Sequence, residues 1–292
     1  MGEQKSAYIY AGLAVLFWST ISTAFKIALR NLDFIQLLFY ATLTSIFVLL
    51  IIIIAQGKLR ILFSYSYRDY LKSALIGLLN PFLFYIVLLE AYSILPAQVA
   101  QPLNMTWPIV LVFLSIPLLK QKVNLKSILA LFISFAGVLF ISSQGNIKIF
   151  NVKEPFGVIL ALGSTILWSL FWIFNLKDRR DEVLKLFLNF VFASFYILIV
   201  ILTFSKIKID NFSFILPAIY VGIFEMGITF VFWLKAMKLS SSAAKISNLV
   251  FLAPFLSLIP IHFIVGEQIF YTTYIGLVLI ISGIFVQQIR VK

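Results

Sequence analysis

Apolar residues in this chain run on for stretches of 18 to 24 positions rather than alternating with polar ones. The stretches cover residues 8–29, 33–55, 71–92, 96–119, 126–143, 156–176, 184–205, 213–235, 241–264 and 271–289. About 20 mostly apolar residues in helical form cross the roughly 30 Å of bilayer hydrocarbon. Each stretch is therefore expected to be a spanning helix, ten in all. Barrel strands would alternate apolar and polar positions over about ten residues, which these stretches do not. Backbone groups in lipid must bond internally, and a helix achieves this within one segment. Connections are short, so no water-soluble domain is expected. The first stretch is too long for the apolar part of a secretory signal, and no A-x-A cleavage pattern follows it. It is read as the first span.

Composition narrows the class further. Of 292 residues, 62% are hydrophobic and 12% charged, against about 25% charged in an ordinary soluble domain. A soluble fold this apolar would expose large patches and aggregate, and disorder needs the opposite composition. There is no cysteine, which excludes a disulfide framework, a thiolate metal site and a cysteine nucleophile. With His262 as the single histidine, no site can use two imidazoles. The expected fold is an all-α integral membrane protein. The net charge of +12 sits in short clusters between apolar stretches, not along one stripe, so nucleic acid is not an expected partner. If the termini lie inside, 17 Lys and Arg face the inner side and 6 the outer. Inner loops carry the excess of cations, so the termini are placed on the cytoplasmic side.

The two halves resemble each other. Trp18-Ser19 in the first span matches Trp168-Ser169 in the sixth. Gly77 enters the third span much as Gly222 enters the eighth; counting on, Asn80 aligns with Glu225 and Ala91 with Ala236. Gly137 lies 29 residues after Pro108, and Gly283 lies 29 after Pro254. The shared order and spacing predict two repeats, residues 1–145 and 146–292. Five spans per repeat is an odd number, so the second copy enters the membrane from the opposite face. Ten transmembrane helices in two inverted five-helix repeats is an architecture of secondary transporters.

Trp-Ser early in each half, Ala-x-x-x-x-Pro-Ala at 91–97 and Gly266-Glu267 after the ninth span resemble the drug/metabolite transporter superfamily, and within it the EamA-type exporters. The resemblance covers about residues 8–289. It departs at Lys120-Gln121, where the first half lacks the Gly-Glu expected after the fourth span. The resemblance implies export or exchange of small metabolites in an inner (plasma) membrane. It also implies a cavity lined by the first, third, fourth, sixth, eighth and ninth spans.

Ionisable groups at membrane depth are costly and mark pathways. Glu225 lies about twelve residues into the eighth span, near the midplane. Its carboxylate is suited to a substrate ammonium and to proton coupling; the alternative is a protonated acid bonded to a neighbour. Asn80 lies equally deep in the third span and either lines the site or satisfies carbonyls freed by Pro81. Glu90, nearer the outer end, is a second coupling candidate or a solvated charge. Gln98, Gln101 and Asn104 recur every three residues and form one polar face. With Asn248 they are expected to line the cavity, although such groups also join helices to one another. The serines at 240–242 and Ser247 are read as helix–helix contacts, and Lys245 as reaching for the interface. Trp18, Trp107, Trp168 and Trp172 sit deep in their spans, where rings stack on a substrate or hold a cation over a face. Tyr85 completes the expected lining. Trp233 is read as lipid-facing or core bulk. Glu267 is expected to cap the tenth span, and His262 to pack at the interface.

There is no P-loop, dinucleotide loop, metal-ligand cluster or nucleophile elbow, so neither cofactor nor metal is expected. The reading that follows is a non-enzymatic secondary transporter of amino acids or related amines, a monomer or weak homodimer in the bilayer, working by alternating access. Transport of nucleotide-linked or other anionic metabolites is the alternative, with Lys26, Lys235 and Lys245 as the available cations. A membrane-embedded enzyme or a lipid scramblase is the alternative from another class; a lateral groove open to lipid would favour the scramblase.

Overall fold

Each apolar stretch is mainly helical where it is described, and no described residue lies in a strand. The computed structural model describes residues 3–121, 123–143, 145, 154–241 and 246–288. Six helices are long and apolar enough to cross a membrane: α1 (Glu3–Ala28), α2 (Phe34–Ala55), α3 (Tyr67–Ile94), α7 (Pro155–Lys177), α8 (Glu182–Phe204) and α9 (Phe212–Leu239). Between them lie α4 (Ala97–Asn104), α5 (Trp107–Leu119) and α6 (Leu125–Ser142). The chain ends with α10 (Leu249–Val265) and α11 (Tyr271–Gln288).

Two local departures from the sequence expectation have simple causes. The stretch at 96–119 is two helices, α4 and α5, broken at Met105 and Thr106. Pro108 has no N–H to offer the carbonyl of Asn104, so the ladder stops there. Helix α3 starts at Tyr67, ahead of the apolar stretch, because Ser66 and Asp69 form a reciprocal cap: each side chain accepts the other's backbone N–H. Charged Arg68, Asp69 and Lys72 thus belong to the helix although they break the apolar pattern.

Helices α3 and α9 carry the same irregularity. Each runs through a π-helical turn, Leu78–Leu83 in α3 and Gly222–Gly227 in α9. Such turns widen a helix locally and recur at functional sites. In α3 the turn contains Asn80 with an extended backbone, joined to Pro81 by a cis peptide bond. In α9 it contains Glu225.

The glycines that align between the two halves of the sequence are close-approach points. A Cβ on Gly77 would lie 2.2 Å from the carbonyl oxygen of Asn189 in α8, and one on Gly222 would lie 2.5 Å from that of Ala41 in α2. Gly137 and Gly283 do the same between α6 and α11, where Cβ atoms would meet Gly276 O at 2.3 Å and Ser134 Oγ at 2.2 Å. Without a hydrophobic driving force between helices in lipid, small residues that bring backbones together supply the packing.

The packing is reciprocal. Helix α1 packs on α9 and α10, while α7 packs on α3 and α5. Helix α2 packs on α8 and on the π turn of α9, while α8 packs on α2 and on the π turn of α3. Helices α2 and α8 run antiparallel. Lys58, just past the end of α2, pairs with Asp181 at the start of α8 at 2.6 Å. At the opposite end the Ser205 hydroxyl, just past α8, donates to Asp33 at the start of α2. Helices α6 and α11 are antiparallel too: Thr272, early in α11, accepts the N–H of Gly145, beyond the end of α6, at 3.0 Å.

Candidate functional site

The two π turns and the paired halves converge on one buried cluster. Glu225 is 5% exposed, and its Oε1 accepts the hydroxyl of Tyr85, from α3, at 2.7 Å. Oε2 has no hydrogen-bond partner. The Trp18 indole lies close to this carboxyl but short of hydrogen-bond geometry. Asn80, fully buried one π turn before Tyr85, leaves both of its amide atoms without a partner. It therefore does not satisfy carbonyls freed by Pro81, one of the two roles expected of it.

All five tryptophans of the chain form one ring cluster, which reaches this acid through Trp18 and Tyr85. Trp18 in α1 stands at the centre, its ring centroid 5.1 Å from Trp233 in α9, 5.9 Å from Trp168 in α7 and 6.3 Å from Trp107 in α5. Trp107 and Trp233 cross at 89° with centroids 5.3 Å apart. Trp172 joins through Trp168 at 5.5 Å, and Phe84, Tyr85 and Phe230 close the shell around Trp168. Edge-to-face aromatic pairs add about 0.5–1.5 kcal/mol beyond their buried area, so the cage is rigid. Yet the indole N–H groups of Trp18, Trp168, Trp172 and Trp233 are buried and unpartnered. Leaving a buried donor or acceptor unpaired costs about 1–3 kcal/mol. A concentration of such donors in a well-packed centre leaves hydrogen bonds to be given to a bound molecule or water.

The expected residues divide. Glu225, Tyr85, Trp18, Trp107, Trp168 and Trp172 come together as described. Gln101 joins them: its Nε2 donates to the Trp18 carbonyl at 3.3 Å and its Oε1 is unpartnered. Asn104 instead holds α4 to α7, donating to Ser164 Oγ at 2.9 Å. The side chains of Gln98 and Asn248, and all of Lys245, lie outside the described residues. Glu90 is half-buried five residues beyond Tyr85 and is not part of the cage. Trp233, read from sequence as bulk, is a full member. Glu267 Oε1 accepts the N–H of Ala97 at 3.0 Å and so serves the start of α4. Its carbonyl meets His262 Nδ1 at 2.9 Å. Of the cations expected to suit an anionic substrate, neither described one reaches the cage. Lys26 is tied to the carbonyls of Tyr92 and Leu95 at 2.7 and 2.6 Å, and Lys235 sits over the Tyr10 ring.

Cavities lie elsewhere in the bundle. One, of about 570 Å³, opens near Lys26, Pro96, Glu267 and Phe270. Another, about 260 Å³, is a lateral groove between α5, α6 and α7, lined by Ile109, Val110, Phe132, Phe135, Leu162 and Ile166, with Thr106 and Thr165.

Membrane-length apolar helices converging on a buried acid in an aromatic cage make this a multi-pass membrane protein. The EamA-like transporter family matches the chain twice, over residues 5–143 and 155–287, and the chain belongs to that family. It is 26% identical to a protein of Clostridium kluyveri named as an uncharacterized transporter, an alignment covering 96% of this chain and 92% of that one. It is 27% identical to the uncharacterized transporter YvbV of Bacillus subtilis, covering 99% and 93%. A crystal structure of another protein shares the fold, with a TM-score of 0.77 at 18% identity over 97% of this chain and 96% of that one. These relationships indicate membrane transport, with a small molecule and the lipid bilayer as partners.

Proposed function

We propose that this protein exports or exchanges small polar metabolites bearing an ammonium group, amino acids or related amines, by alternating access. The observation that carries this reading is the unpartnered Oε2 of Glu225 inside a cage of five tryptophans. An ammonium group fits both features: it donates to the carboxylate, and its charge is attracted to the faces of indole rings. The unpartnered indole N–H groups and the Gln101 and Asn80 amides suit the remaining polar atoms of such a molecule. In this reading residues 1–145 and 146–292 are inverted repeats, supported by the reciprocal packing and the antiparallel α2–α8 and α6–α11 pairs. Both termini are taken as cytoplasmic, and the protein works as a monomer or weak homodimer in the plasma membrane. Rocking of one half against the other exposes the cage to each side in turn. Glu225 is the coupling acid if a proton is exchanged for substrate; Glu90 has little support for that role.

The anionic-metabolite reading is disfavoured by the absence of a described cation in the cage. The lateral groove does not support lipid scrambling, because its lining offers a headgroup only two threonines. The test is flux of labelled amino acids and amines, and of labelled anions, in sealed vesicles containing the purified protein. The expected result is amine flux that Glu225→Gln cuts by about tenfold or more, the scale of losing a hydrogen bond to a charged group. Wild-type rates in a folded Glu225→Gln protein would overturn the proposal.

A further inference from the structure

One end of the bundle is closed by charge. The short turn from Asp178 to Glu182, between α7 and α8, touches three other elements through its side chains. Asp178 is gripped by Arg180, whose Nε and Nη2 reach its two oxygens at 2.7–3.1 Å, and Lys72 at the start of α3 approaches at 3.3 Å. Arg180 also donates to the Asp69 carbonyl at 3.0 Å and to Ser73 Oγ at 2.9 Å, and lies over the Tyr65 ring. Asp181 pairs with Lys58 past the end of α2, and Glu182 with Lys238 at the end of α9, both at 2.6 Å. From within, the fully buried Lys185 donates to the carbonyls of Asn175 and Asp178 at 2.5 and 2.8 Å. The inner two partners are shielded from water: the side chains of Asp178 and Arg180 are 3% and 8% exposed. The turn therefore fastens α2, α3 and α9 to the α7–α8 pair at a single point. The matching junction at the other end, Ser205 with Asp33, has a neutral donor.

We propose that the Asp178–Glu182 turn is an ion-pair latch that holds this end of the bundle shut, and that its release opens a path from that side to Glu225. The latch rests on the alternating-access reading and adds an asymmetry to it: the joint is an ion pair at one end and a carboxyl met by a neutral hydroxyl at the other, so the resting protein favours closure at the ion-paired end. Burial pushes the Asp178 carboxyl up, but the hydrogen bonds and charge of Arg180, with Lys72, outweigh it and hold the carboxyl at about 2. Asp181 is likewise held below the usual carboxylate range; burial raises it, and the bond from Lys58 with the N–H groups of α8 more than compensates. Asp178 and Asp181 thus stay charged across neutral pH. Its outer pairs, Lys58–Asp181 and Lys238–Glu182, are about a quarter to a third exposed and open to screening by salt.

The chain has no cysteine, so a single introduced thiol reports without background. Ala14 and Ser22 lie four residues either side of Trp18 on α1, both buried. The full-length protein in detergent, carrying Ala14→Cys or Ser22→Cys, is labelled with a hydrophilic maleimide, with and without Arg180→Gln, Lys58→Gln or Lys238→Gln. The latch predicts that Arg180→Gln raises labelling at position 14 by roughly tenfold and lowers it at position 22. The two lysine variants, whose side chains are partly exposed and whose loss the fold tolerates, act in the same direction by roughly twofold to fivefold. Unchanged labelling at position 14 in all three variants overturns the latch. A rise at both positions overturns it as well, because the pairs then hold the fold rather than gate a path. Neither outcome touches the amine-flux test of Glu225, whose failure would instead leave these labelling changes intact.

Discussion

The two π turns make the most informative comparison in the molecule. Both follow a glycine pressed against a carbonyl of the other half, Gly77 on Asn189 and Gly222 on Ala41. Both widen their helix at the same relative depth. The chemistry they present differs. The turn in α3 offers the neutral Asn80, whereas the turn in α9 offers the acid Glu225. Tyr85, five residues after Asn80, sends its hydroxyl to Glu225; the corresponding residue five after Glu225 is Phe230, which has no hydroxyl to send back. The two halves thus present similar turns, while the acid comes from one half and its hydroxyl partner from the other.

This comparison can be broken at graded cost. The largest effect is expected from Gly77→Val and Gly222→Val. Either forces two backbones apart and costs about 1–3 kcal/mol or more, so the melting temperature and the monodisperse yield should fall by similar amounts for both. A large loss for one and none for the other would mean the two turns are not equivalent supports. Next comes the contrast of chemistry on that shared scaffold. Glu225→Gln should leave the melting temperature near wild type and cut flux by about tenfold or more. Tyr85→Phe removes a hydrogen bond to the same acid and should cost roughly threefold to tenfold in flux. Asn80→Ala, with no partner to lose, should cost about threefold or less, read in the same vesicles. The smallest effect concerns pH. Because the folded Asp178 carboxyl sits at about 2, below its ordinary 3.8, its contribution to closure is complete above the ordinary value and fades only as pH falls toward 2. Because the thiolate fraction itself rises with pH, labelling at position 14 is divided by that of an exposed cysteine at the same pH; this ratio should be flat between about pH 5 and 8 if Asp178 governs closure, and a rise in it would assign control to another group.

Much of this was legible in the sequence for reasons the structure makes plain. The long apolar stretches are helices, because lipid-facing helices need no periodic pattern to declare themselves. The repeat markers are legible because close helix approach tolerates nothing larger than glycine at Gly77, Gly137, Gly222 and Gly283. Trp233 was missed because its counterpart in the first half is Leu88, so no repeated motif drew notice to it. The signal that could have found it is number: the other four tryptophans were already assigned to one depth. The role of Glu267 was missed because it serves a backbone N–H 170 residues away, at Ala97, a bond that leaves no mark in composition or spacing. The latch was hidden for a similar reason. Arg180 and Asp178 are near neighbours, but Lys58, Lys72 and Lys238 read as ordinary inner-loop cations until the fold brings them to one turn.

The central claim is that Glu225 and the tryptophan cage bind the transported molecule. Because every tryptophan lies in that cage, native tryptophan emission of the purified protein is a direct reporter. Titration with the amine or amino acid carried in the vesicle assay should change the emission saturably. Glu225→Gln should weaken that binding by about tenfold or more, and Glu90→Gln should leave it unchanged. A transported amine that leaves the emission of the wild-type protein untouched, or that binds Glu225→Gln as tightly as wild type, would contradict the account.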